Sequence, residues 1–328
     1  MPRGHSSPGR VVLLAYTGAG GRDNVMDVAV VSHNTKELLE RCLATVTGQD
    51  ALGRVVVADD GSTDGSIEMV RDRFPETLVI TTGGGTGFGG SANRALDACT
   101  APLVLLLNSD TYLEPGTIRA LASYIDAHPH AALVGPRLLN ADGSLQRSCF
   151  PFPSPWNALL GETGLGFFLR FVPVLRARHL RTWPHDGPRV VPWVRGAALV
   201  VRRDVFTQVG GFDPGFFMYF EETDLARRMS AAGWEVHFAP VTDVYHVGGA
   251  STGQRRAEMT VQYYSSMEAF YRRHRKPWER AVLRAILRAT KRLALMRDRV
   301  RLWFVTAPAA RARLHANVEA WRRILASV

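Results

Sequence analysis

Acidic side chains stand close together at three places in this sequence, each at the end of an apolar run or the start of a helix-like one. In "RVVVADDGSTDGS" the run delivers Asp59 and Asp60. A buried carboxylate there could accept a hydrogen bond from the N3–H of uracil or thymine, a proton that cytosine lacks, and Asp60 is the residue expected to select the base. Ser62-Thr63-Asp64 also makes a helix N-cap, which is the structural reading of Asp64. In "PLVLLLNSD" a second run ends at Asn108, Ser109 and Asp110. A carboxylate at such an edge suits a hard divalent cation on a diphosphate, because Mg2+ usually takes one or two carboxylates and fills its shell with phosphate and water. In "FFMYFEETDLARRM" Glu221, Glu222 and Asp224 open a helical pattern. Acids in a first turn favour the helix dipole, yet three of them beside an aromatic, glycine-rich loop suit a site that must hold an ionised base. His246, in "VYHVGGAS", could complete a metal shell.

A rival chemistry is written in the same residues. Gly85-Thr86-Gly87-Phe88-Gly89-Gly90 is a literal G-x-G-x-x-G between an apolar run and a helical segment, and Asp110 lies twenty residues beyond it. That order is the one a dinucleotide-binding unit has, with the acid on a ribose hydroxyl. Taken on "NSD" alone, Asp110 serves a metal or a ribose equally well.

These residues need a frame. From Met26 onward apolar runs alternate with helical patterns around Lys36–Val46, Gly65–Arg73 and Ser91–Ala98. Repeated β-α-β units with short buried strands predict a mostly parallel sheet covered on both faces, with ligands at the carboxyl ends of the strands. Residues 1–25 read as a loose leader. Residues 148–192, rich in Pro, Gly and aromatics, read as an irregular insertion that could form an acceptor-facing flap. From about Met267 the chain reads as helices. The 328 residues carry a formal net charge of +10, but residues 272–328 hold sixteen Lys/Arg against three Asp/Glu, which leaves about −3 for the rest. Such a distribution argues against a nucleic-acid groove and for a surface-seeking tail. No run approaches the roughly 20 apolar residues that span a bilayer, so a cytoplasmic protein is expected. The three cysteines are too scattered for a disulfide framework or a zinc knuckle.

Taken together the motifs resemble the family 2 glycosyltransferases of the GT-A fold, in particular a bacterial rhamnosyltransferase-like branch. The resembling pieces are "VVSHN", "DDGSTDGS", "GTGFGGSANRA", "LLLNSD", "GAALVVRRDVF", "GGFDPGFFMYFEETDLARR" and "VYHVGGAS", from about Asp27 to Thr252. The resemblance implies an α/β, Rossmann-like GT-A domain over 26–266, with a basic helical C-terminal region over 267–328. It implies a donor-nucleotide site at Ser32, Asn34, Asp59, Asp60, Gly87, Asn93, Asn108 and Ser109. It also implies a Mg2+ or Mn2+ ion on Asp110 and His246, and a catalytic cluster of Glu222, Glu221 and Asp224. The chain departs from the family pattern twice, with Asn108 at the first position of the Asp-x-Asp motif and Glu222 where an Asp base is common. Glu222 takes the base role by position, and Asp224 stands in reserve.

The implied reaction is an inverting transfer of a sugar, with dTDP-L-rhamnose the leading donor, to a hydroxyl of a saccharide, lipid-linked or natural-product acceptor. The acceptor proton needs a positioned carboxylate, and the leaving diphosphate needs positive charge on the opposite face of the sugar. Arg195 or Arg228 could supply part of that charge, although solvated surface positions are the expectation for both. The alternatives are an NAD-dependent oxidoreductase and an inactive sugar-nucleotide-binding protein. In the tail, Trp278, Val282, Ile286, Leu293, Met296 and Val300 recur at helical spacing beside Arg280, Arg284, Arg288 and Lys291. That pattern suits peripheral contact of 272–328 with the cytoplasmic face of a membrane, or packing of the stripe on the catalytic domain.

Overall fold

The computed structural model describes residues 25–165, 183–249 and 256–328, so the leader, apart from Val25, and part of the insertion lie outside the described residues. The first half alternates strands β1 (Met26–Ser32), β2 (Leu52–Asp59), β3 (Leu78–Thr81) and β4 (Leu103–Asn108) with helices α1 (Lys36–Thr47), α2 (Ser66–Arg73) and α3 (Gly87–Ala98). Then come β5 (Thr111–Leu113), α4 (Thr117–Asp126), β6 (Ala131–Leu139), β7 (Leu145–Gln146), β8 (Cys149–Phe150) and α5 (Pro155–Thr163). After the insertion follow β9 (Arg189–Val190), β10 (Trp193–Val194), β11 (Ala198–Arg202), α6 (Arg203–Gln208), α7 (Glu221–Ala231) and β12 (Glu235–His246). Three helices close the chain: α8 (Arg256–His274), α9 (Pro277–Phe304) and α10 (Pro308–Ser327).

The main sheet runs β3-β2-β1-β4-β11-β6-β12-β5. Its first four strands are parallel, and the centres of β1, β2 and β4 are buried because both faces are covered, whereas the edge strand β3 is only half-buried. One face packs Leu39 and Leu43 of α1 with Ile118 and Leu121 of α4. The other packs Ala95 and Leu96 of α3, Phe206 of α6 and Leu225 of α7. The expected parallel order breaks at β11, which lies antiparallel to both β4 and β6. Parallel strands deliver their ends to the ligand edge, whereas β11 delivers its beginning. The residues just before Ala198 therefore arrive beside Asn108, whose N–H donates to Ala197 O at 2.9 Å.

The boundary expected at 267 falls inside α8. A separate apolar cluster joins Phe216 and Phe220, in the loop before α7, to Met267, Phe270 and Tyr271 of α8 and to Leu283 and Leu287 of α9. The C-terminal helices thus brace the loop that leads into Glu221. On α9 the stripe of Trp278, Val282, Leu293, Met296 and Val300 stays exposed. A second set, Leu283 and Leu287 with the charged Lys291 and Asp298, is buried instead. Lys291 is held by Glu162 of α5 and by the Tyr264 hydroxyl of α8 at 2.6 Å. Asp298 is held by Arg297 and by Trp321 of α10. Among the described residues no helix is long and apolar enough to cross a membrane.

Candidate active site

A cavity of about 1000 Å3 opens at the ligand edge of the sheet. Of the residues singled out by sequence, Ser32, Asn34, Asp60, Gly87, Asn108, Ser109, Asp110, Glu221, Glu222 and His246 line it. Asp59, Asn93 and Asp224 do not, and each has another task. Asp59 Oδ1 accepts from the N–H groups of Gly61 and Ser62, closing the turn after β2. Its Oδ2 is buried without a hydrogen-bond partner. Asn93 clasps the chain at Phe212, accepting from its N–H and donating to its carbonyl, both at 2.9 Å. Asp224, 1% exposed, accepts from His274 Nε2 at 2.6 Å and from Arg228 at 2.8 Å. Burial would raise the Asp224 carboxyl, but His274 and Arg228 outweigh it and hold it below the ordinary carboxylate range.

The glycine loop serves Asp60. Asp60 Oδ1 accepts from the hydroxyls of Thr82 and Thr86 and from Thr86 N–H, and Oδ2 accepts from Gly87 N–H. Burial pushes this carboxyl up, and these bonds together bring it below its usual range. Phe88 N–H donates to Phe217 O at 3.1 Å. The first amides of α3 are therefore occupied by protein acceptors, whereas a dinucleotide unit would leave them for the pyrophosphate. The helix starts at Gly87, four residues before the expected Ser91. Only glycine fits there: its φ is +70°, and a Cβ would stand 1.9 Å from Phe217 O.

At the end of β4, Asp110 faces His246 at the end of β12, with His246 Nε2 3.3 Å from Asp110 Oδ1. The imidazole tautomer follows from its neighbours. Gln146 gives its amide hydrogens to Asn140 Oδ1 and to the His246 carbonyl, so its Oε1 is the acceptor that takes His246 Nδ1–H at 2.6 Å. In the neutral ring Nε2 then holds the lone pair, which Asn108 Nδ2 approaches at 3.3 Å. Two acceptors facing each other at this separation suit a cation between them, since neighbouring ligands on an octahedral ion at about 2.1 Å stand about 3 Å apart. Asp110 Oδ2 is fixed by Gly248 N–H at 3.0 Å. Asn108 thus bonds to the imidazole where an Asp would face the ion. Among the described residues no group of three His, Cys, Asp or Glu side chains forms a metal cage, so one carboxylate and one imidazole leave room for phosphate oxygens and water.

At another part of the cavity wall, α7 begins with Glu221 and Glu222. Tyr219 and Phe220 before them take left-handed backbone at φ +66° and +68°, a conformation costly to non-glycine residues and kept only where packing enforces it. Phe220 lies against Tyr263 and Phe270 of α8. One carboxylate oxygen of each glutamate is buried without a hydrogen-bond partner. Burial raises the Glu221 carboxyl well above its ordinary value, and the charge of Glu222 adds to it. Glu222 is also raised by burial, but the Gly196 N–H and the Arg195 guanidinium favour its ionised form. Both carboxyls are thus pushed up, and of the two Glu222 is the one whose surroundings favour the ionised form. Arg195, expected at the solvated surface, lines the cavity instead, and burial lowers its guanidinium from the usual value. Arg228, expected to be solvated as well, donates to the carbonyls of Val209 and Gly211. Sequence reasoning passed over Gly196 and Gln146, and the small Gly196-Ala197 pair ahead of β11 was the available signal.

Beyond Glu222 the cavity continues along Phe150, Pro153, Trp193, Met218 and Tyr263, and along Asn157, Ala158, Gly161 and Glu162 of α5. It offers a polar end at the sheet and an apolar, aromatic end under the helices.

Comparison with known proteins agrees with this geometry. The family described as Glycosyltransferase like family 2 matches residues 24–265. The N-acetylglucosaminyl-diphospho-decaprenol L-rhamnosyltransferase of Mycobacterium tuberculosis is 32% identical over 283 residues, 81% of this chain and 90% of that protein. The rhamnosyltransferase WbbL of Escherichia coli is 24% identical over 227 residues, 67% of this chain and 82% of that protein. A solved structure of GalNAc-T7 with UDP, GalNAc and Mn2+ superimposes with a TM-score of 0.50 at 17% identity, covering 68% of this chain and 43% of that one. Matched along most of its length by the family and its rhamnosyltransferases, the chain belongs to the family 2 glycosyltransferases of GT-A fold, in their bacterial rhamnosyltransferase branch.

Proposed function

We propose that the protein transfers L-rhamnose from dTDP-L-rhamnose, with inversion, to a hydroxyl of a lipid-linked saccharide at the cytoplasmic face of a membrane. One observation carries this reading. A single cavity holds an unsatisfied glutamate pair and, apart from it, a facing carboxylate and imidazole. In the proposed mechanism Glu222, whose ionised form Arg195 and Gly196 favour, takes the proton of the acceptor hydroxyl as that oxygen attacks the anomeric carbon. Burial and the neighbouring Glu222 push the Glu221 carboxyl up, which disfavours a second negative charge in the pocket. Asp110 and His246 would hold Mg2+ or Mn2+, which when bound supplies positive charge for the leaving diphosphate. Ser32, Asn34, Asp60, Asn108 and Ser109 form the wall on the donor side, and Asp59 Oδ2 is an open acceptor behind it. Asn93 and Asp224 support this wall and α7 from outside the cavity.

The donor sugar rests on the names of the relatives, and the lipid-linked acceptor on one relative's name together with the apolar end of the cavity. Peripheral membrane contact through 272–328 goes with such an acceptor, and a soluble saccharide or natural product is the alternative. The test is turnover: the protein is incubated with a series of nucleotide sugars, with Mn2+, with Mg2+ and with EDTA, and the anomeric configuration of the product is read by NMR. The expectation is EDTA-sensitive transfer from dTDP-L-rhamnose with inversion. Preference for another nucleotide sugar would replace the donor, and absence of any transfer would leave a binding protein.

A further inference from the structure

The two sides of α9 differ in chemistry. The inner side buries Leu283 and Leu287 and sends Lys291 to Glu162 of α5. The outer side presents Trp278, Val282, Leu293, Met296, Val300 and Trp303 to solvent, with exposures from 40% at Val282 to 83% at Trp303. Their spacing places them on one stripe of a 28-residue helix, about 42 Å long. Monomeric proteins rarely leave a continuous apolar surface of that extent to water.

Charge identifies what covers it. The helix carries eight Lys/Arg against two Asp/Glu, and Arg292 and Arg299 are exposed along one border of the stripe. A second copy laid on the stripe would set two such cationic rows against each other. An anionic lipid surface offers the opposite charge along the whole helix, at about 1 kcal/mol for each Lys or Arg near it. Trp278 and Trp303 stand near the two ends, with the half-apolar rings suited to headgroup level. The neighbouring α10 has no such face of comparable extent: its Leu314, Val318 and Ile324 are buried.

We propose that α9 itself, rather than the whole of 272–328, docks on an anionic phospholipid surface with this stripe in the headgroup layer. Because α9 grips α5 through Lys291 and Glu162, docking sets the α5 wall of the cavity one helix layer from the lipid, about 8–10 Å between axes. The inference builds on the lipid-linked acceptor reading for its purpose, while docking itself is independent of the reaction.

The test is co-sedimentation of the full chain with phosphatidylcholine vesicles that contain or lack phosphatidylglycerol. Deleting the tail would also uncover Phe216 and Phe220, so substitutions are used, with circular dichroism and melting as controls of folding. Wild type should pellet with the anionic vesicles at low salt and be released by high salt. Leu293→Glu/Met296→Glu should bind at least about tenfold more weakly, and Arg292→Glu/Arg299→Glu should lose the preference for phosphatidylglycerol. Wild type that ignores the vesicles, or a glutamate pair that binds as well as wild type, overturns the proposal. So does self-association in sedimentation velocity that disappears in the glutamate pair without any vesicle binding. Transfer to a short, water-soluble acceptor separates the two readings: the glutamate pair should retain it, whereas its absence in wild type that still binds vesicles would count against the acceptor reading alone.

Discussion

His246 Nε2 stands 3.3 Å from Asp110 Oδ1 while Gln146 Oε1 takes the Nδ1–H, which leaves Nε2 as the acceptor of the neutral ring. That tautomer is the one a cation would bind, and Gln146 selects it without itself lining the cavity.

Gln146→Leu should therefore weaken Mn2+ binding about 10- to 100-fold, the usual cost of removing such a partner. Titration calorimetry with Mn2+ and dTDP reads this directly. Asp110→Ala should abolish metal-dependent transfer and leave the fold intact, and full activity of that variant would remove the ion from the site.

Glu222→Gln should lower kcat at least about 100-fold with little change in donor affinity, since the amide keeps the shape and removes the base. The pH profile carries the sign. Glu222 is raised in the fold, and the base must be ionised, so kcat/KM should rise with pH through a midpoint above the ordinary glutamate value of about 4.3. Arg195 favours the ionised form, so Arg195→Met should move that limb to higher pH. A limb that stays in place under this change would separate Arg195 from the base.

Glu221 provides a stability test. Its folded value is raised, so its contribution is full below the unfolded value of about 4.3 and is lost as pH rises through the folded value. Glu221→Gln should stabilise the ligand-free protein near pH 8, by about 2–4 °C in Tm for each kcal/mol recovered. Equal melting of variant and wild type across pH would show that the pair stores no such cost.

Asp224 has the opposite sign. Its folded value is depressed, so its stabilisation is present above the unfolded value of about 3.9 and is lost as pH falls through the folded one. Asp224→Asn should cost about 3 kcal/mol at neutral pH, because it leaves His274 and Arg228 without their carboxylate. Its kcat should fall far less than that of Glu222→Gln, and the reverse order would move the base to Asp224.

The frame was legible because both-face burial writes β1, β2 and β4 as continuous apolar runs, and because acids at their ends have no reason to be there unless capped or used. Which acids were capped could not be read. Asp224 looks like Glu222 until His274, fifty residues away, is folded onto it, and Asn93 reads as a ligand until Phe212 closes on it. Arg195 and Gly196 escaped because the rule of strand ends assumes parallel strands, and β11 runs the other way. In the tail the helical period was visible, but α9 is apolar on two sides, and only packing decides which set faces inward.

Phe216 and Phe220, buried among α8 and α9 just before the glutamate pair, tie that pair to the last quarter of the chain. Loop, α8 and α9 should consequently open as one cooperative unit. Amide hydrogens of Asp224, whose N–H donates to Phe220 O, should exchange at the same free energy as those of Phe270, well apart from the strands of the sheet. A change far out on α9 that loosens this unit would reach the reaction by letting the base drift, with the nucleotide end of the cavity left in order.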